Sequence, residues 1–165
     1  MPYHYDEFLL LEQRMHIRWI IVIAAMGTLY VAACKHGKCE DGGSSGAGRV
    51  SHNAGQNCFS CHHPDGPGEV CWNVSGTIYN SAGTLPVAGA QVRLFTASHG
   101  GGNVALELSS DGSGNVYTSQ EVRFGNGLFP AVINSAGDTS FMVEAVHDGA
   151  CGRCHGSSTE HIKLP

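Results

Sequence analysis

Methionine nearly disappears from this chain after residue 34: of four Met, only Met142 lies beyond that point. Charge is scarce as well, with Asp, Glu, Lys and Arg together 14% of 165 residues and a net charge of −5. A nucleic-acid binder needs a basic face to neutralise phosphates, and this balance excludes one. Aromatic residues are 8% of the chain, and no stretch after residue 34 carries apolar residues at helical spacing for any length. Low charge, few aromatics and 23 Gly favour a β or loop-rich chain over a helical bundle. Triad spacing, paired catalytic carboxylates and a phosphate-binding loop are also missing.

Long apolar runs are missing too, save one. Trp19 to Ala33 is 15 residues without charge, short of the about 20 that span a bilayer. Arg14 and Arg18 precede it. A basic segment followed by an apolar run of that length reads as a signal helix for export, residues 1–33. Asp6, Glu7 and Glu12 are unusual ahead of such a run, which makes Met15 an alternative start. The run ends Val31-Ala32-Ala33-Cys34. This resembles the bacterial lipoprotein signal, which implies lipidation at Cys34 and a membrane held through a lipid anchor. Lys35, not Asp, follows the Cys, so the inner-membrane retention pattern is absent.

Seven cysteines are present, and Cys34 accounts for the odd one. Four others form Cys58-Phe59-Ser60-Cys61-His62 and Cys151-Gly152-Arg153-Cys154-His155. Two residues between two thiols let both reach the two vinyl groups of one porphyrin, and the next residue, His, then faces the iron. Zinc is the rival chemistry, but zinc ribbons place their two pairs about 15–20 residues apart. Here 89 residues separate Cys61 from Cys151. The expected cofactors are therefore two haem c, attached at Cys58, Cys61, Cys151 and Cys154, with His62 and His155 as proximal ligands. Cys39 and Cys71 remain. In an oxidising compartment they form a disulfide around the first motif or stay separate thiols.

The second axial ligand is His, Met or none. Met142 permits at most one His/Met iron. Histidine is in surplus, with eight beyond residue 34, and four non-proximal ones flank the motifs: His52, His63, His147 and His161. These are the candidate distal ligands; His36 and His99 read as solvated. The segment Ser51-His52-Asn53-Ala54-Gly55-Gln56-Asn57-Cys58 resembles multihaem c-type cytochromes, in which a His six residues before the first Cys is a distal ligand. That resemblance implies the role for His52. It implies it less directly for His161, because the family's terminal order is nearer His-Leu-Pro than His161-Ile162-Lys163-Leu164-Pro165.

Between the motifs the pattern is β. Candidate strands are 74–79, 91–96, 104–108, 116–119, 128–134 and 140–146, with turn residues between. Val92, Leu94 and Thr96 share one face, as do Phe141, Val143 and Ala145. The run Val74-Ser75-Gly76-Thr77-Ile78-Tyr79, then Leu85-Pro86-Val87-Ala88-Gly89-Ala90-Gln91-Val92-Arg93-Leu94 and Asp111-Gly112-Ser113-Gly114-Asn115 resembles the carboxypeptidase-regulatory-like domain, which implies a transthyretin-like β-sandwich. Asp111, Ser113 and Asn115 also have calcium-ligand spacing, though a β-turn explains them as well.

The expected fold is mainly β: an antiparallel β-sandwich flanked by two loop-rich c-type haem-binding segments, behind the signal helix. The boundaries are a lipidated Gly/Ser-rich flexible tether at 34–50, the first haem segment at 51–71, the sandwich at 72–146 and the second haem segment at 147–165. The expected function is electron transfer in the periplasm or at the cell surface, without enzymatic activity. The expected partners are redox proteins, other cytochromes among them, and further copies in a filament. The alternatives are a dihaem peroxidase or reductase with one open iron, and a β-sandwich binding module.

Overall fold

The structure, a computed structural model, describes Cys39 and residues 42–165. The expectations for the signal helix, Met15, Cys34 and His36 lie outside the described residues. Eight strands follow in chain order: β1 Val74–Tyr79, β2 Gln91–Phe95, β3 Val104–Ser109, β4 Asn115–Thr118, β5 Phe129–Ile133, β6 Thr139–Phe141, β7 Gly149–Ala150 and β8 Ile162–Lys163. The only helices among the described residues are single 3-10 turns, Cys58–Ser60 and Cys151–Arg153. The fold is mainly β, in two packed sheets.

One sheet has the order β3-β2-β5-β6, antiparallel throughout. The other is built around β1. Strand β4 lies antiparallel on one edge, Val74 opposite Thr118. On the other edge β7 pairs with Val74 and Ser75, and β8 pairs with Ile78 and Tyr79, both parallel to β1. These two-residue strands carry no readable alternation, and the sequence gives no sign of them. Their effect is large. The loop 151–161 leaves and rejoins the same edge of β1, so the second Cys-x-x-Cys-His segment is pinned at both ends to the strand that follows the first.

Val74, Ile78 and Val116 of the β1 sheet pack with Val92, Leu94, Leu106, Leu108 and Val132 of the other in one core cluster. Burial of these branched residues is worth roughly 1.5–3 kcal/mol each. Strand β2 alternates as expected. Strand β1 does not: all six of its residues are buried. One face meets the core, and the other is covered by the loop before the first motif. The expected 140–146 strand shortens to β6. Phe141 is 38% exposed and Val143 73%, so that alternation marks no core face.

The Gly/Ser-rich run expected as a flexible tether is docked. The Ser44 and Thr118 hydroxyls lie 2.6 Å apart, Ser45 N–H donates to the Tyr117 carbonyl at 2.8 Å, and Ser119 N–H donates to the Gly43 carbonyl at 2.9 Å. Small side chains let this segment lie flat along the free edge of β4. Cys39, joined to Cys71 by a disulfide across a separation of 32 residues, holds the segment against the first motif.

Candidate functional site

Both Cys-x-x-Cys-His motifs fold into the same local shape. In the first, Cys61 N–H and His62 N–H both donate to the Cys58 carbonyl, at 3.1 and 2.8 Å; in the second, Cys154 and His155 donate to the Cys151 carbonyl at 3.2 and 3.0 Å. This tight turn puts two thiols and one imidazole on a single short arc.

The imidazoles are held alike. His62 Nδ1 bonds the Val70 carbonyl at 2.7 Å, and His155 Nδ1 bonds the Glu160 carbonyl at 2.8 Å. A carbonyl oxygen only accepts, so Nδ1 carries the proton and the Nε2 lone pair is free for a metal. A backbone carbonyl on the far nitrogen is the usual support of a ligating histidine, fixing its tautomer and ring direction. The residues therefore fit a covalently attached haem at each motif.

The two surroundings differ. The first motif opens on a cavity of about 210 Å³ lined by Cys58, Cys61, His62, His52, Trp72 and Tyr117, with polar Arg49, Ser51, Asn53, Gln56 and Asn115 around them. The His52 and His62 ring centroids lie 5.8 Å apart, tilted by 35°. The second motif opens on a larger, mostly apolar cavity of about 520 Å³, where Cys151, Cys154 and His155 face core residues of both sheets, with Met142, His147 and His161 also on its wall.

Strand β1 separates the sites. On its core side, a Cβ on Gly76 would stand 2.9 Å from Cys151 Cβ, so only glycine lets that cysteine close onto the strand. On its outer side, Thr77 Oγ1 accepts from Gly55 N–H at 2.8 Å and donates to Asn115 Oδ1 at 2.6 Å. Asn115 Nδ2 in turn donates to Ser51 Oγ at 2.9 Å and the His52 carbonyl at 3.1 Å. Ser113 Oγ donates to the Ser51 carbonyl at 2.6 Å. The Asp111–Asn115 segment is a capped turn: Asp111 Oδ1 accepts from Ser113 and Asn115 N–H at 2.9 and 3.0 Å. Its side chains anchor the His52 loop.

The four candidate distal histidines separate by position. His52 shares the first cavity with His62. His161 stacks on Tyr79, centroids 3.9 Å apart and nearly parallel, and its Nδ1 donates to the Gly83 carbonyl at 3.1 Å, leaving Nε2 free as in the proximal pair. His147 lines the second cavity. His63 is exposed, faces neither large cavity, and donates from Nδ1 to the Pro64 carbonyl at 2.8 Å.

Burial pushes the Cys151 thiol up to about 11. Burial also raises Cys58, against a smaller opposing pull from the Ser75 side chain. At neutral pH both stay protonated, unlike thiolates poised for zinc or for nucleophilic attack. Among the described residues no three His, Cys, Asp or Glu side chains converge as a metal-holding group.

Gly76, Tyr79, Trp72 and the Val70 and Glu160 carbonyls were not singled out from sequence. For Gly76 there was a usable sign: a glycine inside a strand marks close approach of another segment. Compared with known families, curated proteins and solved structures, the chain matches none.

Proposed function

We propose that this chain is a dihaem c-type cytochrome that carries electrons outside the cytoplasm. The carrying observation is that two motifs 93 positions apart fold into one turn geometry, each with Nδ1 of its histidine on a backbone carbonyl. Cys58 and Cys61 would hold one haem and Cys151 and Cys154 the other, each thiol adding its S–H across a vinyl double bond to leave a thioether. His62 and His155 would offer Nε2 to the irons. When bound, haem supplies an iron that takes up and releases one electron without a proton donor or a substrate pocket.

The chain's own residues set the rest. His52 faces His62 from a loop held by Asn115 and Ser113, an arrangement suited to a second axial bond at the first site. His147, His161 and Met142 offer that bond at the second. The two turns touch, since a Cβ on Gly152 would lie 3.1 Å from Asn57 Cα, and this closeness supports a short conducting pair. Irons held by two of these side chains each would leave no position for a substrate, which supports electron carriage.

Expression of the full chain in a host with cytochrome-maturation machinery tests this. Intact mass should rise by two haems, and reduced-minus-oxidised spectra should show low-spin c-type bands with no response to carbon monoxide. A mass without haem increments overturns the reading. Two haems with full carbon monoxide binding at one iron would favour a dihaem enzyme instead.

A further inference from the structure

We propose that Gly68 is a positioning residue of the first haem: its missing side chain lets the His62 ring keep Nδ1–H on the Val70 carbonyl, and that bond holds the first potential low. This rests on the dihaem reading and adds to it a residue outside the attachment motif.

The loop Pro64-Asp65-Gly66-Pro67-Gly68-Glu69-Val70 runs back along the motif it follows. Gly68 N–H donates to the Cys61 carbonyl at 2.9 Å, and Trp72 N–H donates to the His62 carbonyl at 2.9 Å. Between them the Val70 carbonyl accepts from His62 Nδ1 at 2.7 Å. Gly68 is pressed against the same edge of the ring. A Cβ there would stand 2.6 Å from His62 Nδ1, 2.9 Å from Cε1 and 2.9 Å from the Cys61 carbonyl oxygen. Gly68 is not among the positive-φ residues, so other side chains could adopt its backbone, and the glycine is required for space alone.

The ring has little room to yield. Trp72 borders it at 5.5 Å and His52 at 5.8 Å between ring centroids, and the iron would hold Nε2. A side chain at Gly68 is relieved by tilting the ring or by moving the loop outward. Gly68 and Val70 are two residues apart, so either movement lengthens the same bond. A carbonyl on the far nitrogen makes the imidazole a stronger donor. A stronger donor favours ferric iron, and such outer hydrogen bonds are one of the levers on haem potential. Weakening the bond therefore raises the first potential. The second motif lacks this device: His161 stands where a counterpart of Gly68 would, six residues after His155, and the Nδ1 partner there is the Glu160 carbonyl.

The test compares the matured full chain with G68A and G66A by intact mass, thermal unfolding, potentiometric titration and ferric electron paramagnetic resonance. C58A/C61A, which keeps only the second haem, identifies that haem's wave and signal. G68A should mature with two haems and keep a Tm within about 5 °C of the parent. Its first-haem reduction equilibrium should shift roughly tenfold towards the ferrous form, about 59 mV for a one-electron couple. The g values of the first haem, which follow the orientation of its axial rings, should move as well, while the second haem's wave and signal stay in place. G66A is the steric control. A Cβ there overlaps the Cys61 carbonyl, and the ring it meets is that of His63, at 3.0 Å. G66A should disturb the loop yet leave the first potential near the parent's.

An unshifted first wave in G68A carrying two haems overturns the proposal. So does an equal shift in G66A, which would assign the effect to the loop at large, and so does an equal shift of both waves in G68A. If G68A does not mature, nitrogen-15 NMR of the His62 ring in the unloaded full chain decides. The parent should show the Nδ1–H tautomer and G68A a mixture of tautomers; identical ring spectra overturn the proposal. A parent without haem increments instead overturns the dihaem reading itself, and the same ring spectra still test the Gly68 contact, so the two failures are distinguishable.

Discussion

At the scale of single residues, the four candidate distal histidines differ in what their rings face. His52 stands across from His62, with centroids 5.8 Å apart. His63 directly follows His62 in sequence but bonds its own loop at the Pro64 carbonyl. On the dihaem reading, H52A should leave the first iron five-coordinate. Ferric spectra should then show a high-spin fraction of about one haem in two, and carbon monoxide should bind that half on reduction. H63A should leave both spectra unchanged. High-spin character in H63A but not H52A would reverse the assignment. Gly76 supplies a second residue-level prediction. A methyl group there meets Cys151 Cβ at 2.9 Å, and branched side chains fare worse. G76V should lower the Tm by roughly 10 °C, equivalent to about 2 kcal/mol, and reduce haem at Cys151 while sparing Cys58; unaltered loading at Cys151, measured by peptide mass mapping, would refute the close approach.

At the scale of elements, the fold follows two rules of different legibility. The long strands could be read because alternation over five or six residues has a physical cause, one face buried and one wet. β2 and β3 show it, whereas β1, read as a strand from its residues and flanking turn, is buried throughout. What alternation cannot show is a strand buried on both faces by unlike partners, or a pairing two residues long. So the β7 and β8 edges, which bring the motifs together, were invisible. Phe141 packs at the sheet edge on Phe95 and His99 and Val143 stays exposed, so the alternation there marks no core face. The motif residues were legible because two Cys and a His recur at one spacing; their carbonyl partners lie 5 to 8 positions downstream, with no pattern of their own. The edge segment before the first motif is likewise held by long-range bonds and by the Cys39–Cys71 link. That link closes a loop of 32 residues' separation, which the loop-entropy estimate values at about 3–4 kcal/mol. The double variant C39A/C71A should lower the Tm by about 8–15 °C, and dithiothreitol should do the same to the parent but not to the variant. N115A should act more locally. It removes the bonds to Thr77, Ser51 and the His52 backbone, each worth about 1 kcal/mol, and should raise the high-spin fraction of the first haem without displacing the second.

At the scale of the whole molecule, the important property is asymmetry. One strand carries an amide- and hydroxyl-lined site on its outer side and an apolar site on its core side. The ferric state of a haem bears one more positive charge than the ferrous state, and an apolar, water-poor surround destabilises it. Burial therefore raises the reduction potential, and polar, solvated surroundings lower it. Axial ligation works in the same direction if Met142, on the wall of the core cavity, bonds the second iron, because methionine raises the potential over histidine. Arg49 at the first cavity opposes the trend. Its charge disfavours the ferric state there, but that group borders the open, polar site, where solvent screens it. On the dihaem reading, the second haem should thus be the higher of the two, by at least about 60 mV, a tenfold bias for a one-electron couple. Electrons would then run from the first haem to the second. A potentiometric titration of the parent should resolve two one-electron waves, and C58A/C61A, which keeps only the second haem, should retain the upper one. Retention of the lower wave would reverse the direction of transfer. A single unresolved wave in the parent would mean that the two surroundings, unlike as they are, balance.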